Sequence, residues 1–338
     1  MVTHKQFSDV LPPLYFTSAS LSFIGSLSIL IAVIVKKGAN NFKVFPVFNI
    51  AAADFFASAS LIASTTIYTL KVKTNNATEV DKHWYSDCRA IGAVVLCFYG
   101  VTFLLTASYP ISLYINSRRL LAGNRGSEKQ LLIKVMEKIS TPVKSVYIFS
   151  WIFPVATAIT MGIVYAKTLA NNDTINTASP YCHDECLQLF NNDVQTCHNR
   201  TTDEKTWFYA YKGVFQGSLL IVILLDMLFY YLFLRNCRLR NEGYGIEGER
   251  QRETLRDAKW KAFRYQIVFI VCWLPCLVLS VVTTVDMIEN SEPPNIAVWE
   301  FAFFVAQAAL SPLQGFLNSI VYGWNRRIFW NIMCRNLN

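Results

Sequence analysis

Asp54 stands in the middle of a long apolar run, at the end of Asn49-Ile50-Ala51-Ala52-Ala53-Asp54. Polar side chains are costly in such surroundings and default to functional candidates. A lone carboxylate there needs a partner, and sodium, water or the amide of Asn318 could supply one. Asp226 is a second acidic residue inside an apolar run. Further along, Gln307, Ser311, Gln314 and Asn318 recur at spacings of four, three and four, which places them on one helical face. Two readings of that face stand side by side. It holds helices together through hydrogen bonds worth ~0.6 kcal/mol each, or it rearranges and carries a switch or an ion. The third feature is Cys272-Trp273-Leu274-Pro275. A proline inside a helix removes a donor and frees a backbone carbonyl, and the bulky Trp273 beside Pro275 gives that weak point something to push against. The chemistry on offer is the remaking of non-covalent contacts around a hinge.

The elements that position these residues are membrane helices. The chain has 338 residues, 53% of them hydrophobic. About 20 apolar residues cross ~30 Å of hydrocarbon, and seven runs reach that length, near 14–35, 44–70, 90–115, 145–166, 208–234, 265–288 and 297–323. Runs this long exceed strand length, and lipid tolerates only closed hydrogen-bonding structures. The expected fold is therefore all-α: a seven-transmembrane helix bundle over residues 14–323. Residues 1–13 form a short extracellular N-terminus. A short cytoplasmic amphipathic eighth helix and tail fill 324–338. The first residues lack a basic stretch before the first apolar run, so that run reads as an uncleaved anchor. No internal repeat is visible, which argues against a transporter built from matched halves.

Charge sets the orientation. The loops containing Lys36 to Lys43, Arg118 to Lys144 and Arg235 to Arg264, with the tail from Arg326, hold 22 of the 31 Lys and Arg residues. Cytoplasmic loops carry the basic excess, which puts the N-terminus outside. The net charge of +8 thus belongs to the inner face and suits anionic lipid and an acidic cytosolic partner; no basic soluble domain exists to bind nucleic acid. The sequons at Asn76, Asn172 and Asn199 all fall in loops assigned outside. Cys88, Cys182, Cys186 and Cys197 also lie in or beside external loops, where oxidation is permitted. Four cysteines allow three pairings. Cys182 with Cys186 would close a very short loop, so Cys88 pairs with one of them and Cys197 with the other; Cys88–Cys182 with Cys186–Cys197 is the favoured set.

Together these residues resemble the G-protein-coupled receptor superfamily over nearly the whole chain. Asn49 to Asp54 resembles the second-helix pattern of rhodopsin-like receptors, and Cys272-Trp273-Leu274-Pro275 their sixth-helix toggle. Asn318 and Tyr322 match the ends of their seventh-helix Asn-Pro-x-x-Tyr, and Trp324 to Trp330 resembles the helix that follows. The departures are definite. Ser319 follows Asn318 where a proline is usual, Ser26 follows Gly25 where an asparagine is usual, and the third span ends Ser112-Leu113-Tyr114 without Asp-Arg-Tyr. The stretches Tyr109 to Arg119 and Leu313 to Asn318 are similar to the cyclic-AMP-receptor and secretin-like group. The nearest likeness is the orphan transmembrane protein 116 family.

The resemblance implies a plasma-membrane receptor with an unknown extracellular ligand and a heterotrimeric G protein as partner. Trp273, Pro275, Asp54, Asn318 and Tyr322 would form the switch. Tyr68, Tyr211, Trp299 and Glu300, in the outer half of the bundle, are the candidate ligand contacts. Arg118, Arg119, Arg256, Lys259 and Lys261 are the candidate G-protein contacts. The competing expectation is a receptor-like multispan protein, a scaffold or trafficking factor, that does not couple. Neither reading makes the chain an enzyme or gives it a cofactor. His4, His83, His183 and His198 all lie outside the apolar runs, which removes the ligands of an intramembrane zinc hydrolase. No lysine occurs in 297–323 to bind retinal.

Overall fold

The computed structural model describes residues 4–35, 44–74, 82–122, 141–170, 202–241, 249–289 and 298–324, all but a few of them helical. In chain order the helices are α1 (His4–Val35), α2 (Phe45–Thr74), α3 (Lys82–Ala122), α4 (Thr141–Ala170), α5 (Thr202–Asn241), α6 (Glu249–Glu289), α7 (Val298–Leu310) and α8 (Gln314–Trp324). No strand occurs among the described residues. Six helices are long and apolar enough to cross a membrane, over Asp9–Val35, Phe45–Leu70, Ile91–Ile115, Val143–Thr160, Gly213–Arg238 and Lys259–Val282. These match the first six expected spans with shifted edges. The first helix opens at His4, well before the span expected from residue 14.

The last expected crossing, 297–323, is not one continuous helix. It is the 13-residue α7 and the 11-residue α8, separated at Ser311-Pro312-Leu313. Pro312 has no N–H to donate and its ring crowds the carbonyl one turn back. The ladder adapts: Ser311 N still bonds Gln307 O at 3.0 Å, Leu313 N turns to Leu310 O at 3.1 Å, and Leu317 N bonds Leu313 O at 3.1 Å to restart the helix. The expected amphipathic helix after Trp324 lies outside the described residues.

The bundle buries its interior helices and exposes the others. Half of the apolar window of α2 and of α3 is buried, against 22% for α4 and for α5. The outward faces are apolar: Ile148, Phe149, Ile152 and Phe153 on α4, Leu220, Ile221 and Leu224 on α5, and Ile267, Val271 and Leu274 on α6 are exposed. Exposed apolar surface on this scale suits hydrocarbon rather than water. The largest core cluster joins Tyr15, Leu61, Tyr68, Tyr99, Phe103, Leu219, Phe269 and Trp273 from α1, α2, α3, α5 and α6. A second, Ile50, Ala53, Val101, Leu105, Val143 and Tyr147, seats α4 on α2 and α3. A third gathers Ile29, Val33, Val47, Tyr265 and Tyr322.

Candidate functional site

Many polar side chains in the spans make no statement about function. Ser26, Ser58, Thr65, Thr106 and Ser112 return their hydroxyls to the carbonyl four residues back on their own helix. This satisfies the hydroxyl locally; of the five, Ser112 also reaches Tyr147 OH on α4 at 3.5 Å. α4 is tied by a few longer-range bonds. Trp151 Nε1 donates to Asn49 Oδ1 at 3.0 Å, and the Ser108 and Ser150 hydroxyls are 2.8 Å apart. Asn49 is thus a packing anchor for α4.

The broken helix is different, because five residues around the break bond to other helices. Ala308 O, the carbonyl that Pro312 leaves without its helical donor, accepts Ser18 Oγ of α1 at 2.9 Å. Ser311 Oγ donates to Cys272 O of α6 at 3.0 Å. That carbonyl adjoins Val271 O, which Pro275 deprives of its own donor. Trp273 Nε1 donates to Gln314 Oε1 at 2.6 Å. Gly315 N donates to Ser22 Oγ of α1 at 3.1 Å. Asn318 Nδ2 donates to Asp54 Oδ2 of α2 at 2.9 Å. Five hydrogen bonds therefore hold the two short helices to α1, α2 and α6 across the interruption.

The packing is as close as the bonding. Trp273 is wholly buried. Its ring meets Phe103 edge-on at 4.5 Å, Tyr99 edge-on at 5.0 Å and Phe215 at 6.4 Å. On the other side α1 and α8 touch through glycines. A Cβ on Gly25 would stand 2.7 Å from Phe316 Cα, and one on Gly315 would stand 2.5 Å from Ser22 Oγ and 3.0 Å from Asp54 Cβ. The approach that lets Asn318 reach Asp54 needs glycine at both places. Thr102 of α3 also lies against the Asp54 carboxyl.

The switch residues inferred from the sequence are mostly brought together. Asp54 and Asn318 are bonded directly, and Trp273 reaches the same helix through Gln314. Tyr322 is buried with Tyr265 and Val33 near the end of α8. Pro275 lies inside a continuous α6, whereas the interruption falls at Pro312. Gln314, Ser18, Ser22, Gly25 and Gly315 escaped the sequence reading as site residues. For Gln314 a signal existed, its place on the polar face. For the others there was none, since a serine or glycine gains its role only from the helix that meets it.

The remaining candidates are scattered. Tyr68 is buried in the main core and Glu300 is buried on the inner face of α7. Trp299, next to Glu300, points outward, half exposed and stacked edge-on with Phe303. Adjacent helical residues diverge by about 100°, so Trp299 and Glu300 cannot share one pocket wall. Arg118 and Arg256 are exposed, and Lys259 and Lys261 are partly buried. The helices carrying Cys88, Arg119 and Tyr211 are described but those side chains are not. Asn76, Asn172, Asn199, Cys182, Cys186 and Cys197 lie outside the described residues.

The model of the transmembrane protein 116 family matches residues 10–337. The chain belongs to that family. The match takes in the first helix from residue 10 onward and all the other described helices.

Proposed function

We propose that this member of the transmembrane protein 116 family is a plasma-membrane receptor that passes an extracellular ligand signal to a heterotrimeric G protein. Its N-terminus is outside, and α7 and α8 together make a seventh crossing with a built-in break. The observation that carries the reading is the set of five hydrogen bonds around Ser311-Pro312-Leu313. Here the outer half of the crossing is joined to the inner half through contacts that can be broken singly and remade. A ligand pressing on α7 or α6 from outside shifts Trp273 or Gln314. That movement reaches Asp54 through α8, and the inner end of α6 through its own length. A ligand moves such an equilibrium only by its difference in affinity for the two states.

Arg118, Arg256, Lys259 and Lys261 would line the cytoplasmic opening where an acidic or amphipathic helix of a G protein docks. The alternative reading, a non-coupling scaffold or trafficking protein, is favoured by Ser112-Leu113-Tyr114, which leaves α3 without an arginine at its usual place. Expression of the full chain with reporters for each main G-protein class tests the choice. Basal signal in one class, abolished by Asp54→Leu at equal surface expression, supports the receptor. Silence in every class, with normal surface delivery, favours the scaffold.

A further inference from the structure

Gln307 breaks the pattern of its own helical face. Ser311, Gln314 and Asn318 each have a partner on a neighbouring helix. Gln307, one turn outward of Ser311, is 1% exposed, and neither its Nε2 nor its Oε1 has a hydrogen-bond partner. Burying an amide with both ends unsatisfied costs on the order of 2–7 kcal/mol, and native proteins rarely leave such a group without a reason. The adjacent residue, Ala308, belongs to the core cluster that contains Tyr15, Tyr68, Tyr99 and Trp273. Gln307 therefore offers a paired donor and acceptor in the buried interior, one turn from the five-bond seam.

We infer that the Gln307 amide is the polar anchor of a small-molecule site. The chemical class is a planar carboxamide, lactam or urea group on an apolar or aromatic body. Such a group matches the amide edge to edge, donating to Oε1 and accepting from Nε2. Its apolar body suits the buried surroundings of the amide. Occupancy completes the polar ladder of the last crossing at its outer end. It also sets the position of α7 relative to α8, because Ser311 follows Gln307 by one turn. In the described state the core closes over Gln307, so entry requires α7 to part from its neighbours. The break at Ser311-Pro312-Leu313 is where that motion costs least.

This site would serve the receptor proposed above, so the test reads binding directly and needs no G protein. The full chain, purified in detergent, is melted with benzamide, and with toluene as a counterpart of similar shape that lacks the amide. Millimolar concentrations suit a ligand of so few heavy atoms. Benzamide should raise the melting temperature and toluene should not. Gln307→Met should abolish the benzamide shift and raise the melting temperature of the unliganded protein, since the orphan amide is gone. Gln307→Glu keeps the shape and replaces the donor with a carboxyl. It should lose the benzamide response and acquire one to benzamidine, whose cationic amidine pairs with a carboxylate. If Gln307→Met fails to fold, the exchanged preference of Gln307→Glu decides alone. Equal shifts with benzamide and toluene, a benzamide shift that survives both substitutions, or no shift at all would each overturn the site; the last would mean that water alone completes the amide. None of these results bears on G-protein coupling.

Discussion

Asp54 shows at the smallest scale how the seam is held. Its carboxyl takes a hydrogen bond from Asn318 at 2.9 Å, with Thr102 of α3 alongside and Gly315 packed behind it. Asn318→Leu removes the donor and leaves the buried carboxyl short of a partner, which should cost about 1–3 kcal/mol. Asp54→Leu alone strands the Asn318 amide in the same way. The double replacement strands neither, so the two costs should not add. A coupling of about 1 kcal/mol is expected from the cycle, within the range for hydrogen bonds inside membrane bundles. Thermal melts of the four proteins in one detergent measure it; strict additivity would mean that the bond contributes nothing. This pair was legible in the sequence because a lone carboxylate in an apolar run demands a partner, and a polar helical face elsewhere can supply one. The bond from Trp273 to Gln314 was not, although both residues stood out. Spacing shows which face of a helix is polar, but not which helix that face meets.

At the scale of elements, the break between α7 and α8 arises from two helices. The chain has prolines at Pro110, Pro154, Pro275 and Pro312 within apolar runs, and the sequence reading singled out Pro275 for the Trp273 beside it. Helices α3, α4 and α6 continue through the first three, and the fourth separates α7 from α8. What distinguishes Pro312 lies on α1. Ser18 takes the freed Ala308 carbonyl and Ser22 takes Gly315 N, so the interrupted ladder is satisfied from outside. That service requires α1 to lie against α8 at backbone distance, which Gly25 and Gly315 permit. Gly25→Ala places a Cβ 2.7 Å from Phe316 Cα, a backbone atom that cannot swing aside. The expected loss is about 1–3 kcal/mol, the usual range for overpacking. Gly213 and Gly217 on α5 are controls, because a Cβ there meets nothing within 4 Å. Alanine at those two should be neutral or stabilising by up to about 1 kcal/mol. Melting temperatures of the three single variants check the ordering. If Gly25→Ala behaved like the α5 variants, the contact between α1 and α8 would be looser than described.

For the whole molecule, hydropathy revealed the six crossings because length and apolarity are properties of the sequence itself. The seventh run was equally visible, but its division was not, since apolarity does not report where a ladder is interrupted. The remaining question is whether the bundle has two states. Between Lys259 and Ile270, α6 ties its inner half to α5 through Gln266 Nε2, which donates to Asp226 O at 3.2 Å, and through Tyr230 and Phe263, whose rings stack at 6.3 Å. Tyr265 adds an edge-on contact with Tyr109 of α3 at 5.7 Å and joins the cluster of Ile29, Val33 and Tyr322. Between that segment and Pro275 stands Trp273, fixed to α8 by Gln314 and boxed by rings from α3 and α5. If displacement of Trp273 is passed along α6, the segment that moves is the one carrying Lys261. Spin labels near Lys261 on α6 and near Lys43, just before α2, should then give two distance populations. Gln314→Leu removes the acceptor of the Trp273 N–H and should shift the balance between them. Moving it from one part in a hundred to parity requires about 2.7 kcal/mol, more than one such bond ordinarily contributes. A change of about 1 kcal/mol, or roughly five-fold in the ratio, is the expected size. A single distance distribution, the same in both proteins and unmoved by added G protein, would reduce Pro275 to a packing feature. The break at Pro312 would then be architecture, and the receptor mechanism would lose the moving part on which it depends.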